Sequence, residues 1–194
     1  MSEAARRSMH ESRGLKARAM NAAAQILAEE GLAALSLRAI AELAGVGIAS
    51  IYHYFAGKDE LLAALAVDGF QRLERDMSGA DAIQPAPSAI GRGAQAFFAF
   101  TTANPALFAL MFDVQMMSRH AELREAEDRA FVAFAAYVAK DDRIDADYAP
   151  AVASTLWALG RGIAAIASSQ PGGQLNEAQS ALIFGGANYL LQKR

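Results

Sequence analysis

Ser36–Lys58 reads SLRAIAELAGVGIASIYHYFAGK, and its punctuation decides the fold. Ile40, Ala41, Leu43 and Ala44 give the first half one apolar side. Gly45 follows, the residue type that takes positive φ where a helix stops and the chain turns sharply. Val46 plugs the corner. A second segment, Gly47 to Phe55, places Ile51 and Phe55 four residues apart on one helical face. Ser50, Tyr52, His53 and Tyr54 fall on the other. Two short helices, a tight turn and a free polar face are the pattern of a helix-turn-helix. Its second helix buries one side and can offer the other to a DNA major groove. A plain corner between two helices, with chance polar residues outside, would show the same local pattern.

The flanking sequence extends the helical reading. From Arg13 to about Glu30, Leu15, Ala19, Ala22, Ala23, Ile26 and Leu27 form one apolar stripe, ended by Gly31. Residues 1–12 are expected to be a disordered tail. Ser36 is a good N-cap for the next helix. After Gly57 a helix is predicted to about Met77, with Asp59 and Glu60 in its favoured first turn. Ser78–Ser88, SGADAIQPAPS, reads as a linker. Helices follow at about 89–103, 105–117, 121–140, 146–168 and 176–192. The expectation is an all-α chain of about nine helices: a head at 13–58, a connecting helix at 59–77 and a second domain at 78–194.

Composition agrees. The chain has 194 residues, 54% of them apolar and only 8% aromatic, with abundant alanine. No stretch alternates apolar and polar residues in strand fashion. There is no cysteine, which removes disulfides and thiolate metal sites. The net charge is −3, yet residues 1–58 hold seven Lys/Arg against five Asp/Glu. That asymmetry suits a DNA-reading head on an acidic body. The N-terminus lacks a secretory apolar core, and no run of about 18 apolar residues occurs, so a cytoplasmic protein without a membrane span is expected. His10, His53 and His120 are scattered, and no phosphate loop or nucleophile motif occurs. Neither catalysis, a cofactor nor a metal is expected. Asp141–Asp147 reads as a charged, solvated turn.

The run GLAALSLRAIAELAGVGIASIYHYFAGKDELLAAL resembles the N-terminal domain of TetR-family transcriptional regulators. Its matching elements are Gly31, Ser36, Arg38-x-Ile40-Ala41, Ala44-Gly45-Val46, Ile51-Tyr52-x-Tyr54-Phe55 and Lys58-x-x-Leu61-Leu62. The resemblance covers about residues 13–77. It implies a ligand-responsive regulator, a repressor released from double-stranded operator DNA by a small-molecule effector. It also implies a homodimer formed by a C-terminal helical domain that holds the effector. By position, the DNA contacts are Arg38, Ile48, Ala49, Ser50, Tyr52, His53, Tyr54 and Lys58, with Ser36 capping its helix and touching a phosphate. Gly47, Ile48 and Ala49 leave few side chains for base hydrogen bonds, so apolar contacts and DNA shape carry more of the specificity.

The second half carries fewer signals. Trp157-x-x-x-Arg161-Gly162 is similar to the Trp-x-x-x-His-Gly signature of one group of TetR-family C-terminal domains, with Arg in place of His. Arg161 among apolar neighbours needs a partner. It serves either as an anion site for an effector or in an ion pair with Asp113 or Asp147. Phe97, Phe98, Phe100, Phe108, Met111, Phe112, Met116 and Met117 suit either a core or an adaptable pocket. The expected effector residues, for a largely apolar ligand, are Phe97, Phe108, Met111, Phe112, Trp157 and Arg161. The expected dimer face is Leu159, Ile163, Ile166, Leu182, Ile183, Gly186 and Leu190.

Overall fold

A computed structural model of the chain describes residues 3–80, 88–170 and 173–191, apart from the side chains of residues 3–13 and of Leu190. Ten α-helices make up the regular structure of the described residues: α1 Glu3–Glu29, α2 Leu37–Ala44, α3 Ile48–Tyr54, α4 Lys58–Ser78, α5 Ala89–Ala103, α6 Pro105–Met111, α7 Val114–Arg119, α8 Ala121–Ala139, α9 Ala149–Ser168 and α10 Glu177–Leu190. A short 3₁₀ turn, Ala146–Tyr148, precedes α9. These are the nine expected segments with one divided. The expected helix at 105–117 breaks at Phe112-Asp113, because the Asp113 carboxylate accepts from the Met116 N–H at 2.8 Å and starts α7 afresh. The first helix begins at Glu3 rather than Arg13, so residues 3–12 continue it instead of forming a tail. Residues 81–87 of the expected linker lie outside the described residues, as do 171–172 of the last loop and 192 at the expected end of the final helix.

The chain forms two compact units. The first comprises residues 1–69 and 106–123, the second residues 70–105 and 124–194. This differs from the expected division at two places: α4 contributes to both units, and α6 and α7 belong with the head. Their apolar side explains it. Leu107, Phe108, Leu110, Met111 and Met116 are buried, and α6 approaches the first half of α4 at Gly69. A Cβ on Gly69 would lie 2.7 Å from Met111 Sδ and 3.2 Å from Leu107 Cγ. The helices can meet this closely only where a side chain is missing.

In unit one, α1 buries Ala19, Ala22, Ala23, Ile26 and Leu27, packing on α2 and α3. Leu35, Ile40, Ile51, Phe55, Leu61 and Leu65 fill the rest of that core. Unit two joins Phe70, Leu73 and Met77 of α4 with α5, α8, α9 and α10. Tyr137 on α8 donates its hydroxyl to the Met77 carbonyl at 2.6 Å. Gly160 on α9 brings that helix onto the Phe97 ring of α5. Residues 146–168 are long and apolar enough to cross a membrane, with a mean hydropathy of 1.3 over 18 residues, which the sequence reading did not anticipate. Here that stretch packs on α5 and carries Arg161, held in an ion pair.

Candidate nucleic-acid interface and apolar cavity

The turn in unit one is built as its residues require. Ser36 is extended (φ −137°, ψ 152°), and its hydroxyl accepts from the Ala39 N–H at 3.1 Å, capping α2. Gly45 ends α2 at φ 63°, the left-handed region. The Val46 N–H then returns to the Ala41 carbonyl at 3.0 Å, closing the helix end. Only Ile51 of α3 is buried, and Phe55 caps that core from just beyond it.

Ile48, Ala49, Tyr52 and His53 are the exposed residues of α3. Their i, i+1, i+4, i+5 spacing makes one continuous outward face. Ser50 and Tyr54, expected on that face, are half-buried at its edges. Ser50 sits about 100° around the helix from the buried Ile51 and Tyr54 about 60° on the other side, so neither turns fully outward. The His53 and Tyr54 rings meet edge to face at 5.1 Å.

Ser36, Leu37, Arg38, Ile48, Tyr52, Ala56, Gly57 and Lys58 line one open groove. Among the described residues its lining has two cations and no carboxylate. The nearest acids in sequence are already bonded. Glu60 accepts from the Ala56 N–H. Asp59 is held by Arg119 Nη2 and His120 Nε2, each at 2.9 Å, and His120 Nδ1 lies 3.2 Å from Glu122. Lys58 reaches the Leu32 carbonyl at 3.4 Å. Five of the predicted contact residues, Ser36, Arg38, Ile48, Tyr52 and Lys58, therefore meet in one concavity. Ala49, Ser50, His53 and Tyr54 stay on α3 outside it.

Unit two holds a cavity of about 390 Å³, lined by residues of α5, α8, α9 and α10. Its walls are aromatic and aliphatic: Phe97, Phe98, Phe134, Trp157, Phe184 and Ile163 among them. The Trp157 ring lies 5.4 Å from Phe97 and 5.8 Å from both Phe131 and Phe134. Among the described residues, polar side chains enter at Ser88, Arg143 and Asn188. Of the residues expected around an effector, Phe97 and Trp157 line this cavity. Phe108, Met111 and Phe112 do not; they pack in unit one, where the Phe108 and Phe112 rings are 4.8 Å apart.

Arg161 does not line the cavity either. Its Nη1 donates to Glu127 at 3.0 Å, and the same carboxylate oxygen accepts from Trp157 Nε1 at 3.2 Å. The ion-pair reading holds, with a partner on α8 instead of Asp113 or Asp147. Asp113 caps α7, and Asp147 lies in the 3₁₀ turn. Through Glu127, the Trp-x-x-x-Arg spacing ties the indole and the guanidinium to one carboxylate.

Two expected dimer residues, Leu159 and Ile163, line the cavity. Ile166 and Leu182 point outward, 47% and 78% exposed, and Gly186 is exposed beside them; Ile183 is half-buried. Leu190 lies in α10, with its side chain outside the described residues.

Sequence reasoning missed Phe98, Phe134, Phe184, Leu156, Ser88, Arg143 and Asn188. It also took Asp141 for part of a solvated turn, whereas Asp141 is 4% exposed. Arg143 grips its carboxylate with Nε to Oδ1 at 2.7 Å and Nη2 to Oδ2 at 3.0 Å. The Ile90 N–H at the start of α5 donates to Oδ2 at 3.1 Å. These bonds outweigh desolvation and lower the Asp141 carboxyl from 3.8 to about 2, the Arg143 hydrogen bond being the largest cause. Among the described residues no cluster of His, Asp and Glu could hold a metal.

Comparison with known proteins gives one family match in each half of the chain. Residues 19–65 match the family described as bacterial regulatory proteins, tetR family, and residues 90–183 match a tetracyclin repressor-like C-terminal domain. The HTH-type transcriptional regulator Rv1816 of Mycobacterium tuberculosis is 35% identical over 101 residues. That alignment takes in 49% of this chain and 42% of the relative, so the likeness spans less than half of the relative's length. A protein of unknown function from Rhodococcus sp. RHA1 shares the fold at a TM-score of 0.68 and 24% identity, covering 91% of this chain and 93% of that one. A TetR-family transcriptional regulator from Streptomyces coelicolor does so at 0.61 and 22%, covering 92% and 95%.

Proposed function

The chain belongs to the TetR family of bacterial helix-turn-helix transcriptional regulators, and from that premise we propose that it is a cytoplasmic repressor released from its operator by a small, largely apolar effector. The observation that carries this reading is the groove of unit one. Arg38 and Lys58 stand there without a carboxylate among the described lining residues, while Asp59 is paired with Arg119 and His120 and Glu60 caps the Ala56 N–H at the groove's edge. A polyanion gains most from such a surface. Arg38, Lys58 and the Tyr52 hydroxyl meet phosphates, beside the capped α2 terminus at Ser36. Ile48, Ala49 and His53 face the bases, flanked by Ser50 and Tyr54. With few hydrogen-bonding groups on that face, phosphate contacts supply most of the affinity and DNA shape much of the selectivity.

Two copies are needed to read successive turns of the duplex, about 34–36 Å apart. The exposed Ile166, Leu182 and Gly186 on α9 and α10 supply the pairing face, joined by Ile183 and Leu190. Effector in the unit-two cavity weakens DNA binding. A hundredfold release needs about 2.8 kcal/mol of preference for the DNA-free state.

The test is a gel shift on the DNA upstream of the protein's own gene at two salt concentrations, with Lys58→Ala and Tyr52→Ala beside the wild type. Binding that weakens with salt and is weaker in the variants supports the reading. Binding of equal strength in all three sinks the contact assignment. A monomer in sedimentation at micromolar concentration would overturn the pairing face.

A further inference from the structure

The cavity of unit two has a property that its apolar walls alone do not give. Among the described residues none that lines it is acidic, and the one cation is Arg143. The charge of that cation is already balanced, and only Nη1 keeps donors to offer. Nε and Nη2 both bind Asp141, and Nη2 also donates to Ser88 Oγ at 2.8 Å. Asp141 itself stands behind the wall, with its side chain 1% exposed and a third bond from the Ile90 N–H. Among the described residues the other polar side chain in the lining is the Asn188 amide, exposed and without a hydrogen bond to them.

We propose that this cavity selects uncharged, largely apolar ligands carrying one hydrogen-bonding group, and that Asp141 sets the selectivity by neutralising Arg143 from outside the cavity. The proposal rests on the reading of the cavity as the effector site. A carboxylate entering it sheds water and meets a guanidinium whose charge is balanced, so its desolvation is not repaid. An ammonium group finds no acid. Five aromatic rings offer it attraction, but less than the water it loses. A hydroxyl or carbonyl keeps one hydrogen bond, to Asn188, and gives its hydrophobic body to Phe97, Phe98 and Trp157. Arginine in an effector pocket would ordinarily point to an anionic ligand. Here the geometry points the other way.

The experiment is calorimetric titration of the full chain near pH 7 with three probes of one skeleton: 2-naphthylmethanol, 2-naphthoate and 2-naphthylmethylammonium. The alcohol is expected to bind at least about tenfold tighter than either ion. A charged probe binding within about tenfold of the alcohol overturns the charge selectivity while leaving the cavity as a ligand site. No binding by any of the three overturns the cavity reading itself. Ala187→Trp, which fills the space, must abolish the alcohol's binding; retained binding places the probe elsewhere and overturns the cavity reading as well.

Asp141→Asn leaves Arg143 unmatched and is expected to bring naphthoate to within about threefold of the alcohol. An unchanged ratio in the folded variant removes Asp141 from the account. Because that substitution strikes a buried group, Asn188→Asp on the exposed side of α10 gives an independent reading. It adds an acid to the wall and should raise ammonium affinity by about tenfold without helping naphthoate. No gain for the ammonium overturns the claim that charge governs entry.

Discussion

The groove of unit one and the cavity of unit two treat a cation in opposite ways. Arg38 and Lys58 are exposed, and the acids nearest to Lys58 in sequence are turned away by Arg119, His120 and the Ala56 amide. Arg143 sits at an apolar wall and is bound twice by a buried aspartate. The difference follows from solvent. In water an unmatched cation costs little and remains available to a phosphate. Against an apolar wall, with its side chain only 34% exposed, it costs more, and a buried aspartate matches it from behind. One chain therefore presents a charge-reading surface and a charge-indifferent one.

The contrast can be broken from several sides. The largest effect is expected at Trp157, which holds the cavity wall against Phe97, Phe131 and Phe134. Trp157→Ala should lower stability by about 3–5 kcal/mol in a denaturant titration. A loss under about 1 kcal/mol would mean that the aromatic wall is not a packed element.

Next comes Asp141. Folding lowers its carboxyl from 3.8 to about 2, so between those values the unfolded chain binds more protons than the folded one. The stabilisation is complete above about pH 4 and drains away as pH falls toward 2. Asp141→Asn should cost on the order of 2 kcal/mol near pH 7 and flatten that part of the pH profile. A profile of unchanged slope would remove the ion pair from the account of unit two.

Smaller changes belong to the groove. Lys58→Ala and Arg38→Ala should each weaken DNA binding by about tenfold at low salt. Each should also reduce the salt slope by about one. A variant that loses affinity with no change of slope would place its residue off the phosphates. Gly45→Ala, forced into the left-handed region, should cost about 1–2 kcal/mol and act on the head alone.

The smallest effect is expected at Arg161. It is 39% exposed and pairs with Glu127, so the screened pair contributes little, under about 1 kcal/mol. Arg161→Ala should leave the affinity for 2-naphthylmethanol within about twofold. A larger loss would return Arg161 to the ligand site.

The head was legible because its determinants are local. Ser36 caps Ala39 three residues on, Gly45 turns the chain at the end of α2, and Ile51 and Phe55 meet four residues apart. Each is a short-range rule that a string of residues states directly. The exposure of Leu43 and the half-burial of Ser50 and Tyr54 escaped it, because burial at the edges of short helices depends on what packs beside them.

The cavity was legible only as an apolar tendency. Phe97 and Phe108 read alike in the sequence, yet one lines the wall of unit two and the other packs in unit one. Asp141 and Arg143 look like surface charges until the start of α5, some fifty residues earlier in the chain, closes over the carboxylate. Glu127 gave no sign that it would take both Trp157 and Arg161 from α9. Residue order determined which segments are helical, where they stop and which face of α3 is free, since those depend on neighbours within a turn or two. Tertiary structure alone decided which helices share a core, which rings enclose space and which charges are cancelled. Those outcomes depend on side chains brought together from distant segments, and apolarity carries no address.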